Sequence, residues 1–122
     1  MKELKIKKCL TCGNVVAFLD DKGGKLVCCN EPMIEVKANT VDASFEKHIP
    51  NYEINGDKIK VYVNHVMEPE HYIEWIMIKT EKETRVFYFK PGDEPVCEVP
   101  YSSNMIIYSY CNLHGLWSKN IG

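Results

Sequence analysis

Six cysteines and four histidines are the side chains in this sequence best suited to chemistry. Their placing is uneven. Cys9, Cys12, Cys28 and Cys29 fall in the first quarter of the chain, Cys97 and Cys111 much later, and His48, His65, His71 and His114 all lie outside the first quarter. A thiol-rich head thus precedes a body that carries the imidazoles.

In the head, Cys9 and Cys12 form a C-x-x-C pair and Cys28 and Cys29 are neighbours. A C-x-x-C loop lets two sulfurs reach one ion, and a hairpin can bring a second pair opposite. Four thiolates in a tetrahedron hold zinc or a single iron, and cysteines alone do not distinguish the two. Disulfides or buried reduced thiols are the competing reading, but a reducing compartment and the C-x-x-C spacing favour a metal. The adjacent pair sets a condition. Successive side chains of a strand point to opposite faces, so Cys28 and Cys29 can share one ion only if the backbone bends there.

In the body, "CNLHGLW" at 111–117 places Cys111 and His114 at metal-ligand spacing. His48 lies in "FEKHIP", and His65 and His71 in "HVMEPEHYIEW". All are expected near strand ends or in loops, where functional groups are displayed. A nucleophilic Cys111 with one histidine as base would leave three histidines unused. A closed structural zinc site takes four ligands, and these five candidates are one too many. Five ligands with an open sixth position suit iron and invite a small ligand.

These residues need elements to position them. At 122 residues the chain can form one ordinary domain, or a small domain and a stub. The apolar fraction of 45% and charged fraction of 26% are those of a soluble globular protein. A net charge of −2 argues against non-specific nucleic-acid binding. No apolar run approaches the roughly 20 residues of a membrane-spanning helix. Residues 1–8 are charged throughout and lack a signal-peptide core. The expected compartment is the cytoplasm, where thiols stay reduced.

The head, residues 1–37, is too short to build a sufficient core and needs a staple. "DDKGGK" at 20–25 reads as a hairpin turn joining "VVAFL" to "KLVCC". The body, residues 38–122, reads as β throughout. In "KIKVYV" (58–63), Ile59, Val61 and Val63 alternate with Lys58, Lys60 and Tyr62. "YIEWIMIKTE" (72–81), "TRVFYFK" (84–90) and "NMIIYSY" (104–110) are rich in β-branched and aromatic residues. Turn signals separate them at 55–57, 81–83 and 91–95. Short strands at this spacing, with no long amphipathic helix, predict a small antiparallel sandwich or barrel.

Over nearly its whole length the sequence resembles desulfoferrodoxin, the two-iron form of superoxide reductase. The resemblance rests on the four head cysteines with "CCNEPM" at 28–33, and on "EKHIP" at 46–50, "HVMEPEHYIEW" at 65–75, "KPGDEP" at 90–95 and "CNLHGLW" at 111–117, all in the family's order. It implies a desulforedoxin-like head with iron held by Cys9, Cys12, Cys28 and Cys29. An immunoglobulin-like β-sandwich follows, and the family's usual assembly is a homodimer. It implies a second iron with His48, His65, His71 and His114 as equatorial ligands and Cys111 as the axial thiolate, leaving the sixth position open. Val66 departs from the family, which commonly has proline there. Cys97 has no role in the pattern and reads as a small semi-buried residue, with an oxidation-prone surface thiol as the alternative.

The activity implied is one-electron reduction of superoxide to hydrogen peroxide at a non-haem ferrous centre. It consumes an outside electron, for which rubredoxin or a similar small redox protein is the natural donor. Whether the head iron relays that electron or is structural stays open. By the same resemblance, Lys47 supplies positive charge near the open face and organises the proton-donating water, and Glu46 closes the sixth position after product leaves. Taken alone, Glu46 and Lys47 would be a solvated pair of little consequence. Two other classes compete: a pure electron carrier, and a metal-stapled β-sandwich that binds a protein partner.

Overall fold

The computed structural model describes residues 1–122, which form two compact units, Lys2–Lys37 and Ala38–Gly122, the latter including Met1. Nearly all regular structure is strand.

The head contains five short strands: β1 (Ile6–Lys8), β2 (Val15–Ala17), β3 (Val27–Cys28), β4 (Glu31–Pro32) and β5 (Ile34–Glu35). β1 is central in a three-stranded antiparallel sheet, between β2 and β5. β3 pairs with β4 instead. This corrects one expectation: the segments flanking "DDKGGK" do not form a hairpin with each other. The edges of β1 take up β2 and β5, and β3 turns back at once onto β4. Residues 20–25 are an irregular loop, in which the Asp21 carboxylate accepts from the Gly23 amide at 3.1 Å and from the Lys5 ammonium at 3.0 Å. Only Ile6, Cys9 and Met33 are buried among the apolar residues of this unit.

The body is an antiparallel sandwich. One sheet has β6 (Asn51–Asn55), β7 (Lys58–Tyr62) and β10 (Val96–Pro100) in the order β10-β7-β6. The other has β8 (Ile73–Lys79), β9 (Thr84–Tyr88), β11 (Met105–Cys111) and β12 (Gly115–Ile121) in the order β12-β11-β8-β9. Period-two alternation sends Ile59 and Val61 of β7 inward with Val99 of β10, while Lys58, Lys60 and Glu98 stay outside. They meet Ile73, Ile76, Ile78, Met105, Ile107 and Ile121 of the second sheet in one continuous core. Each such isoleucine contributes roughly 1.5–3 kcal/mol by burial. Cys97 faces Val61 in this core, and burial pushes its thiol up to about 12. It packs in the core as a small apolar residue rather than as a surface thiol.

The strands expected over 58–63, 72–81, 84–90 and 104–110 are present as β7, β8, β9 and β11. β6, β10, β12 and a one-turn helix, α1 (Phe45–His48), had no clear signal. α1 stops at His48 because Pro50 disfavours helical geometry at Ile49, which is extended at φ −64°, ψ 129°. β11 and β12 are joined by three residues, with Gly115 at φ 75° closing the turn. That loop is the "NLH" of the motif.

Candidate metal centres

In the head, the sulfurs of Cys9, Cys12, Cys28 and Cys29 lie within 4.8 Å of one another. The condition set by the adjacent pair is met by the backbone. Cys28 ends β3, and Cys29 and Asn30 take left-handed conformations at φ 54° and 62°. Non-glycine residues rarely adopt this region. It turns the Cys29 side chain back to the face of Cys28, with the two sulfurs 4.0 Å apart. On the other side, the Gly13 amide donates to the Cys9 carbonyl at 3.0 Å, with Gly13 at φ 83°. The Cys12 amide donates to the Cys9 sulfur at 3.4 Å, and the Cys12 and Cys28 sulfurs are 3.5 Å apart.

That amide lowers the Cys9 thiol to about 6, whereas contact with Cys12 pushes Cys28 up to about 12 and raises Cys29. The Cys9 thiolate is stabilised, while Cys28 and Cys29 favour the protonated form because their thiols hydrogen-bond neighbouring sulfurs and nearby negative charge opposes ionisation. A cation among the four sulfurs removes that repulsion. Its charge and softness suit all-sulfur coordination.

In the body, one ligand atom each from His48, His65, His71 and Cys111 forms a second group within 4.8 Å. His114 falls outside that group but adjoins it: its Nδ1 is 3.0 Å from His48 Nε2 and 3.9 Å from Cys111 Sγ. His65 Nε2 stands 3.5 Å from Cys111 Sγ. Four elements contribute. α1 carries His48, the 63–72 segment carries His65 and His71, β11 ends in Cys111, and the β11–β12 loop carries His114.

The backbone sets each ring. His48 Nδ1 donates to the Ser44 carbonyl at 2.6 Å, and His65 Nδ1 donates to the Val66 carbonyl. A carbonyl only accepts, so both Nδ1 atoms carry the proton and both Nε2 atoms keep a free lone pair. The acceptor beside His65 is a backbone oxygen, so valine in place of the usual proline does not remove it. Burial lowers the pKa of His48 and His65, which favours the neutral, ligating form. His71 Nε2 is buried with no hydrogen-bond partner. An orphaned buried nitrogen of this kind is costly unless an ion takes its lone pair. Together these features fit a cation.

Cys111 is fully buried, and burial raises its thiol pKa. The register between β8 and β11 slips here: Tyr110 pairs with Trp75, but Cys111 pairs with Ile73 rather than Glu74. This bulge sets Ile73 opposite Cys111, while the Glu74 carboxylate stays near enough to add to the rise in the thiol pKa. The His114 amide donates to the sulfur at 3.4 Å.

Asn112 had no assigned role, yet it ties the 63–72 segment to β11. Its Oδ1 accepts from the Tyr72 amide at 2.9 Å, its Nδ2 donates to the Glu70 carbonyl at 3.0 Å, and its own amide donates to the Tyr72 carbonyl at 3.2 Å. Asparagine between two candidate ligands in a tight loop was the available signal. Glu46 and Lys47 are exposed on α1, next to His48.

A four-thiol cluster in a small head, followed by a β-sandwich bearing clustered imidazoles and one thiol, defines a class of two-centre metal-binding β proteins. The family model described as "Desulfoferrodoxin" matches residues 40–120, and "Desulfoferrodoxin, N-terminal domain" matches residues 1–36. The chain belongs to the desulfoferrodoxin family.

Desulfoferrodoxin of Nitratidesulfovibrio vulgaris is 43% identical over 119 residues, covering 94% of each chain. A desulfoferrodoxin homolog of Archaeoglobus fulgidus is 41% identical over 120 residues, covering 95% of this chain and 96% of the relative. Among solved structures, the superoxide reductase of Treponema pallidum superposes with a TM-score of 0.74 at 32% identity, covering 97% of this chain and 99% of that one.

Proposed function

We propose that this protein is a superoxide reductase with two irons. Cys9, Cys12, Cys28 and Cys29 hold one in the head, residues 1–37. His48, His65, His71, His114 and Cys111 hold the other in the body, residues 38–122. The observation that carries the reading is the body cluster: the Nε2 lone pairs of His48 and His65, the orphaned Nε2 of His71 and the Nδ1 of His114 gather beside one buried thiol. The likeness to superoxide reductase structures supports it.

When bound, ferrous iron would supply a Lewis-acidic centre that can give up one electron. The chain does the rest. Cys111 would hold the iron as a thiolate and supply electron density, from a position buried away from water. Lys47 is an exposed cation on the same turn as His48 and attracts the superoxide anion against the chain's net charge of −2. It also holds the water that delivers protons. Glu46, on that turn too, would offer a carboxylate to the iron after product release. One superoxide, one electron and two protons give one hydrogen peroxide. The electron comes from rubredoxin or a similar small redox protein, and the working form is a cytoplasmic homodimer.

Metal content and a visible spectrum before and after mild oxidation test this first. The expected result is two irons per chain, a red four-thiolate chromophore, and a lower-energy thiolate-to-iron band that appears on oxidation. Rapid mixing with superoxide should then convert the reduced centre within milliseconds. Zinc in both sites, or iron in the body that is inert to superoxide, would sink the reading.

A further inference from the structure

We infer that one rung of the sheet, Ser109 facing Trp117 across β11 and β12, is the positioning device for the body's metal ligands. It locks α1 to the sandwich and couples His48 to His114. The inference rests on the ligand assignment proposed above.

α1 is a single turn of four residues with no side-chain bond at its N-cap. A turn this short has no stability of its own. It nevertheless carries a ligand that is only 3% exposed, with its Nε2 held 3.0 Å from His114 Nδ1. The bond from His48 Nδ1 to the Ser44 carbonyl lies within this local segment and moves with it. Something outside α1 must hold it to the sheet.

Two side chains do so. Ser109 is fully buried and, with His48, is one of two polar residues so placed. A hydroxyl at that depth is unfavourable unless bonded. Its Oγ donates to the His48 carbonyl at 2.8 Å. Valine or alanine would serve the core as well, so this bond is what explains a serine here. Trp117 is also fully buried. Its ring stacks on the His48 imidazole, with centroids 4.8 Å apart and planes 22° apart, and Phe45 at the start of α1 meets it edge-on at 5.2 Å. Its Nε1 donates to the His114 carbonyl at 3.2 Å.

Trp117 therefore touches both ends of α1 and the backbone of a second ligand. The His48 and His114 rings stand 86° apart. Imidazole rotation about its second torsion is soft, so the plane of His48 is set jointly by its bond to the Ser44 carbonyl and by the Trp117 stack, and only the stack ties it to the sheet. Glu46 and Lys47 ride on the same turn and take their place from the same rung.

The test uses the full iron-loaded chain and the variants Ser109→Ala, Trp117→Phe and Trp117→Leu. Ile59→Val in the opposite sheet is the packing control. Loss of body iron to a chelator is followed by decay of its thiolate-to-iron band, with the head chromophore as internal reference. Ser109→Ala and Trp117→Phe should each lose body iron about tenfold faster, the usual order for groups that orient a ligand. Trp117→Leu, which removes both stack and N–H, should lose it faster still and shift the band. Ile59→Val should match the wild type.

Wild-type loss rates in folded Ser109→Ala and Trp117→Phe would overturn the inference, even if Trp117→Leu fails to fold. So would equal acceleration in Ile59→Val, or a wild-type body that takes up no metal. A body that binds iron but does not react with superoxide would refute the proposed activity alone, because this readout needs no turnover.

Discussion

The head and the body each gather cysteine or histidine side chains around a point, but they stand on different supports. In the head, Ile6, Cys9 and Met33 are the buried apolar residues, and one of those three is itself a candidate ligand. Its strands are two or three residues long. In the body, twelve buried residues form one core, of which Cys111 alone is a candidate ligand, and the other candidates sit on α1, a loop and a hairpin turn. The head's site is thus most of what holds the head together, while the body's site is mounted on a scaffold that can stand without it. A ligand lost from the head is therefore expected to act as a folding defect, and one lost from the body as a functional defect.

Cys9→Ser should break this comparison most visibly. The head is expected to lose its chromophore and its protected amides together, while the body's unfolding transition stays in place. Hydrogen exchange read by region checks both halves of that statement. Ile107→Ala is the reciprocal change. It should cost the body about 2–5 kcal/mol in chemical denaturation, leaving the head's spectrum unaltered.

Two smaller changes sharpen the picture at the body's site. Lys47→Ala should slow the reaction with superoxide by roughly tenfold and flatten its salt dependence, with the fold intact, because steering by a local cation is lost. Asn112→Ala should weaken iron binding in the body by about tenfold, since it frees the segment that carries His71. Iron titration with the head already loaded measures it.

The smallest effect is on pH dependence. Burial lowers His48 and His65 below their ordinary 6.5. Between 6.5 and the folded values the unfolded chain binds more protons, so stability rises with pH in that window. The metal-free body should therefore melt at falling temperatures as the pH drops below 6.5, and again as it rises past 9, where the raised thiols of Cys97 and Cys111 oppose ionisation. The His48→Gln variant should show a shallower fall, and an equally steep one would assign the effect to other groups.

The head's four thiols were legible because C-x-x-C and an adjacent pair are local patterns. The central strands were legible because β7 alternates strictly, and because β8, β9 and β11 are dense in β-branched and aromatic residues. β6, β10 and β12 were not, because turn and breaker residues bound them: Asn51–Asn55 begins and ends on asparagine, Val96–Pro100 ends in proline, and Gly115–Ile121 opens on glycine. The failed hairpin at residues 20–25 has the same root. Two glycines mark where a chain can turn, but not which strand it then joins, and β1 was the better partner for both β2 and β5.

Residue identity and order alone determined that a thiol-rich head precedes an imidazole-bearing β body, because ligand type and strand periodicity are written along the chain. Tertiary structure decided the rest: the left-handed turn at Cys29 and Asn30, the bulge that sets Ile73 beside Cys111, and the Ser109–Trp117 rung beneath α1. Each joins residues far apart in sequence or bends the backbone against its local preference. The bulge and the rung depend on strand register, which the closing of two sheets over a shared core fixes, and the turn at Cys29 and Asn30 depends on bringing two neighbouring sulfurs to one face.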